Sequence, residues 1–155
     1  MQDLAEIGLS LAKPELEAFQ IAPEGIDSFW EDLQPFFEKA LIWNRGEFGL
    51  EDLYGRLKKG FMQVFMVQEN GEIKLVLVTE FVQYPQYSTV RICLAAGEEL
   101  KKAEKFYSYF ANWALMNGAI EIEAMVRPSM ARLLRSFGFK ESRIEVRKDL
   151  RNIVH

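Results

Sequence analysis

Histidine and cysteine are almost missing from this sequence: His155 is the sole histidine and Cys93 the sole cysteine. A single cysteine cannot close an internal disulfide or furnish a cysteine-based metal cluster. With one terminal histidine, His-dependent triads and most zinc sites drop out, so no metal is expected. Long apolar runs are missing too: none approaches the ~18 residues needed to span a bilayer. Met1-Gln2-Asp3 lacks the basic start of a signal peptide, which points to a cytoplasmic protein.

What remains is an ordinary globular balance with an aromatic surplus. Hydrophobic residues make up 49% and charged residues 27% of 155 residues, which suits one domain with a real core. Aromatics reach 13%, with 12 Phe, and imply either a large aromatic core or an adhesive surface. The net charge of -4 is unevenly spread. From Arg127 onward, eight Lys/Arg stand against three Asp/Glu, a balance of +5; the preceding residues hold eleven and twenty, a balance of -9. The basic tail either faces phosphate or pairs with the acidic body.

Periodicity orders the chain. Residues 1–14 form a short helix or an arm closed by Pro14, and residues 15–155 a single domain. Glu15 to Ile21 alternates as a half-buried strand does. Phe29, Trp30, Leu33, Phe36, Phe37, Ala40 and Leu41 recur at helical steps, with Asp27 as the expected N-cap. Pro35 lies inside that pattern and predicts a kink or a break. Leu50, Leu53 and Leu57 mark a second helix, ended by Lys58-Lys59-Gly60. Met62–Gln68 and Ile73–Val82 flank Asn70-Gly71, a strong hairpin signal. Tyr87–Ala95 completes an antiparallel meander. Glu98–Asn117 is a long amphipathic helix, and Ile120, Ile122, Ala124 and Val126 alternate as the strand after it. A strand, a long helix and a strand demand a parallel pair. Arg127-Pro128, a short helix, Gly138-Phe139 and a return strand to Leu150 close the chain.

The expected fold is mixed α/β: a mostly antiparallel twisted sheet of six to seven strands, with helices on both faces. In this order it resembles the GCN5-related N-acetyltransferase (GNAT) fold. Met130-Ala131-Arg132-Leu133-Leu134-Arg135-Ser136-Phe137-Gly138-Phe139 looks like that family's closing helix and its Gly-Phe exit. A narrower set of strings is similar to GNAT-like phage and prophage proteins, such as the small internal virion protein of T7-like podoviruses. These strings are Leu57-Lys58-Lys59-Gly60-Phe61-Met62-Gln63-Val64, Val78-Thr79-Glu80-Phe81-Val82-Gln83-Tyr84-Pro85 and Ala96-Gly97-Glu98-Glu99-Leu100. That likeness implies a virion or other phage protein as partner, or a homo-oligomer, in the host cytoplasm or the virion.

The GNAT resemblance implies acetyl-CoA or CoA as cofactor, with its pyrophosphate at the start of the long helix, where glycines free successive N–H groups. The matching residues are Leu94, Ala95, Ala96, Gly97, Glu98 and Glu99. They hold one glycine and no basic residue, and two carboxylates lie where phosphates would. Like charges ~4 Å apart at an effective dielectric of ~20 repel by ~4 kcal/mol. Glu98 and Glu99 also suit an ordinary helix N-terminus. Arg127, before the turn into the closing helix, reaches an anion or caps a carboxylate. The family's acid tyrosine maps onto Leu134, which transfers no proton.

Candidate substitutes are Tyr107 and Tyr109 on the long helix and Tyr84 and Tyr87 at the meander turn. Without histidine, a general base must be a carboxylate or a water chain. Glu80, mid-strand, is the foremost candidate, against the alternative of a solvent-facing strand residue; Glu121 and Glu123 carry the same ambiguity. Cys93 reads as a small buried hydrophobe rather than a nucleophile.

Two functions remain open. One is a binding or virion-associated module with a degenerate acyl-CoA site; the other is an active acetyl-CoA-dependent N-acetyltransferase with an altered phosphate loop. Nucleic-acid contact through Arg143, Arg147, Lys148 and Arg151 is a third idea, opposed by the acidic pI of about 5.2.

Overall fold

A computed structural model describes residues 16–97 and 104–151, so the expected N-terminal arm over residues 1–14 lies outside the described residues. The chain parts into two compact units, with the break between Met125 and Val126.

The first unit is built on a sheet in the order β1-β2-β3-β4-β5. Its strands are β1 (Leu16–Ile21), β2 (Gln63–Glu69), β3 (Glu72–Gln83), β4 (Ser88–Gly97) and β5 (Glu121–Ala124). The first four are antiparallel neighbours, and β5 joins β4 in parallel. The β2–β3 connection is tight because Asn70 and Gly71 both take positive φ, 53° and 79°. That conformation follows the twist of the flanking strands, as Asn-Gly at this place predicts.

Helices cover both faces. α1 (Ile26–Leu41) and α2 (Leu50–Lys58) lie between β1 and β2 in the chain, and α3 (Glu104–Met116) lies between β4 and β5. Ile26, Leu33, Phe37, Leu53 and Leu57 pack on Val64, Met66, Val76, Val78, Leu94 and Ala96 of the sheet. On the opposite face Phe106, Phe110 and Ala114 of α3 pack on Phe65, Val67, Leu75, Leu77 and Val90. Phe65 is fully buried and sits 5.4 Å from the Phe110 ring and 4.7 Å from Trp113. The phenylalanine surplus is thus largely core.

Two local expectations change. α1 runs through Pro35 without a break. Pro35 removes only the amide that would bond back to Glu31, and both residues are exposed, so water can satisfy that carbonyl. Asp27 is not the N-cap, which falls on Gly25. Its carboxylate instead accepts from Tyr54 Oη at 2.5 Å and from Lys58 Nζ at 2.7 Å, tying α1 to α2.

The second unit contains α4 (Pro128–Arg135), with Arg127 as N-cap and Gly138 at φ 92° just beyond its end. The short closing helix and its glycine stop are therefore present. The return strand is not: residues 139–150 form no strand, and among the described residues the sheet has five strands rather than six to seven. Alternation of Ile144 and Val146 with charged residues specifies which side chains would share a face. It does not supply the neighbouring strand that a ladder requires.

Candidate active site

The site follows from where β5 stops. β5 pairs with β4 only through Thr89–Glu121, Val90–Ile122, Arg91–Glu123 and Ile92–Ala124. β4 itself continues to Gly97, still bonded to β3. From Cys93 onward, alternate backbone N–H and C=O groups of β4 point toward a side where β5 offers no partner. The β3–β4 register slips at this place: Thr79 faces Ile92 and Val78 faces Leu94, leaving Cys93 as the extra residue of a bulge. The end of β5 pairing and the bulge coincide, so β4 runs on beyond β5 from Cys93.

Beside that point three charges form a row across the strands. Glu80, Arg91 and Glu123 are register partners on β3, β4 and β5. They share the face that α1 and α2 cover, because their chain neighbours Phe81, Val90 and Ile122 belong to the α3 side. Arg91 donates from Nε to Glu123 at 2.8 Å and from Nη1 to Glu80 at 3.2 Å. Tyr84 Oη, from the β3–β4 turn, donates to the second oxygen of Glu123 at 2.8 Å.

The two carboxylates are consequently unlike. Burial alone would raise the Glu123 pKa, but the hydrogen bonds from Tyr84 and Arg91 outweigh it and hold the carboxyl below its usual range. Glu123 is a fixed anion, poorly suited to taking a proton. Glu80 accepts a longer bond from Arg91 and lies against the Cys93 thiol.

A pH dependence follows. A carboxyl depressed in the folded state contributes stability that is present above its unfolded value of 4.5 and lost as pH falls through the folded value. Wild-type protein should therefore lose stability on acidification below about pH 4.5, and Glu123→Gln should flatten that limb in denaturant titrations across pH 3 to 6.

Cys93 packs against the α1–α2 side of the core, and its Sγ donates to the Arg91 carbonyl at 3.7 Å. Burial first, and the Glu80 charge second, push its thiol up to about 12. Almost no thiolate exists at neutral pH, which agrees with its reading as a hydrophobe rather than a nucleophile.

The other candidates distribute as follows. Tyr107 lies on α3, across the sheet from Glu80, so the structure does not bring these two together. Tyr109 packs edge-on to Phe65 on that same far side. Tyr87 lies tilted beside Tyr84 at 5.2 Å, and Tyr84 reaches the charged row. Leu94 and Ala96 face the α1–α2 core and Ala95 the α3 side. Glu98 and Glu99 fall outside the described residues. Arg127 caps α4 through its backbone, its carbonyl accepting from Met130 and Ala131 at 3.0 Å.

Gly97 has a reason of its own. Its φ is 152°, and a Cβ there would come within 2.2 Å of the Lys74 carbonyl oxygen. Close approach of β3 therefore requires glycine here, whatever binds beyond it. Arg91 is the member of the row that sequence reasoning passed over. Its signal was available: one basic residue in a strand that alternates otherwise uncharged, flanked by strands carrying Glu80 and Glu123.

No protein-family model and no curated protein matches the sequence. Solved structures do match in fold. Aminoglycoside N-acetyltransferase AAC(6')-Iy in complex with CoA superposes with TM-score 0.67 at 12% identity, over 90% of this chain and 97% of that one. An aminoglycoside acetyltransferase, meta-AAC0020, from an uncultured soil metagenomic sample, in complex with sisomicin, gives 0.65 at 17% identity, over 88% and 97%. A predicted acetyltransferase with acetyl-CoA from Clostridium acetobutylicum gives 0.65 at 12%, over 91% and 100%. At such identities the likeness speaks to fold alone, and the chain has the GNAT acetyltransferase fold.

Proposed function

We propose that this GNAT-fold chain binds acyl-CoA in the opening between β4 and β5 and transfers the acyl group to a cationic amine. The observation that carries this reading is the stretch of β4 from Cys93 to Gly97 that outruns β5. A strand edge of this kind offers hydrogen-bond donors and acceptors to an extended amide-bearing ligand such as the pantetheine arm. Acetyl-CoA, when bound, supplies an activated acyl group.

The chain's own residues supply the rest. Glu80 attracts the ammonium form of the acceptor and takes its proton, directly or through one water, so that the amine can attack the thioester carbonyl. The new N–C bond would replace the C–S bond, and CoA would leave as a thiolate that takes up the amine's second proton by way of solvent. Arg91 holds Glu80 in place, and Glu123 and Tyr84 hold Arg91. The acidic body, with its balance of -9 before Arg127, favours the approach of cations. The acceptor class agrees with the aminoglycoside acetyltransferases among the matching structures.

A second reading is a GNAT-fold binding module that has lost its cofactor, of which a virion-associated phage protein would be one form. It draws on Leu134, at the place where the family resemblance expects an acid tyrosine. It also draws on Gly97, whose conformation strand packing alone accounts for.

Calorimetric titration with acetyl-CoA and with CoA, followed by thiol release with aminoglycosides and polyamines, separates the two. The transferase reading expects a dissociation constant in the range of about 1 μM to 1 mM and amine-dependent thiol release. Absence of heat at millimolar ligand overturns it in favour of the module.

A further inference from the structure

Among the described residues of the second unit, the most exposed apolar side chains fall in one short run. Ile144, Val146 and Leu150 are 91%, 86% and 67% exposed, at positions that alternate with charged residues, and the run forms no strand. We propose that residues 142–150 pair antiparallel with the same residues of a second copy, forming a two-stranded ribbon across a two-fold axis at Val146. The partner is a second copy of this chain because the run is charge-complementary to itself in one register.

With Val146 opposite Val146 of the second copy, Arg143 lies across from Asp149 and Glu145 across from Arg147. The two-fold axis repeats both pairs, so one face of the ribbon carries four oppositely charged cross-strand contacts and no like-charged one. Directly opposed opposite charges stabilise a ladder, and like charges oppose it. Shifting the axis by one residue to Glu145 sets Glu145 against Glu145 and Arg143 against Arg147, so neighbouring registers are disfavoured. On the other face Val146 meets Val146, and Ile144 meets the aliphatic stem of Lys148.

Within one copy these charges satisfy themselves locally. Arg147 Nε donates to Glu145 at 2.7 Å, and Arg151 Nη2 donates to Asp149 at 2.8 Å. Residues two apart lie on one side of an extended segment, so the side chains are already displayed on a common face. Pairing exchanges exposed local contacts for cross-strand ones and adds the backbone ladder. An interface of this kind, in which residue i of one copy meets j of the other and j meets i, closes at two copies and does not propagate.

The register makes a discriminating test possible with three variants of the full chain. Arg147→Glu or Glu145→Arg alone sets like charges against each other at both Glu145–Arg147 contacts. Each should weaken dimerisation by at least about tenfold in sedimentation equilibrium. Mixing these two single variants restores opposite charges at both contacts, so the mixture should form a heterodimer that neither forms alone. The double swap Glu145→Arg with Arg147→Glu should dimerise as the wild type does.

Both substituted positions are exposed, so circular dichroism of each variant should stay native. Wild-type protein that stays monomeric at about 200 μM overturns the proposal. So does a dimer that both single swaps leave intact, or a mixture of single variants that fails to associate.

Discussion

Replacing Glu80 by Gln should slow acyl transfer to an amine by about 100- to 10,000-fold, the usual contribution of a positioned general base. The amide keeps the size and the acceptor oxygen facing Arg91, so the fold and the β4–β5 opening persist. Acetyl-CoA affinity should therefore change little, while turnover falls at every amine concentration. The loss should shrink as pH rises toward the pKa of the acceptor amine, because less ammonium then needs deprotonation. Glu123→Gln gives the contrasting control. Its carboxylate is engaged on both oxygens, by Arg91 and Tyr84, and its loss acts through the position of Arg91. The expected signature is a milder fall in rate together with the altered acid limb of stability. Equal losses for the two variants would mean that the row acts only as a scaffold.

The second large effect is on stability. Gly97→Ala should cost about 2–4 kcal/mol, combining strained backbone with overpacking. The new methyl group would sit 2.2 Å from the Lys74 carbonyl oxygen and 2.9 Å from the Leu75 Cα, both backbone atoms of the neighbouring strand. Neither can swing aside as a side-chain tip can, so β3 or the end of β4 must shift. Urea unfolding should show a lower midpoint with an unchanged slope, since the compactness of both end states is retained. A midpoint within error of wild type would mean that the end of β4 yields freely, and the opening beside it would then be poorly defined.

Much of this architecture was legible in the sequence because it rests on local signals. Asn70-Gly71 announced its hairpin, and the steps of Phe29, Leu33 and Phe37 announced α1. The alternation of Ile120, Ile122 and Ala124 after a long helix announced the parallel pair. The failures were places where a pattern needs a partner to become structure. Ile144 and Val146 alternate as strand residues do, yet no ladder forms along them. Pro35 reads as a breaker, yet an exposed position lets a helix tolerate the missing bond.

The charged row shows a third kind of limit. Glu80 and Glu123 were visible as candidates, but their difference arises from register, which places Arg91 between them and Tyr84 beside only one. Register depends on a bulge at Cys93, and no residue type announces a bulge reliably. Gly97 ran the other way: in the sequence it looked like a phosphate-binding glycine, and the structure explains it by the closeness of β3.

The central claim is that the part of β4 outrunning β5 is the acyl-CoA site, and amide hydrogen exchange with and without CoA tests it most directly. Saturating CoA should slow exchange over residues 93–97, on the amides that β5 leaves unpaired, with little change along β1 and β2. Exchange across residues 93–97 that CoA leaves untouched would contradict it.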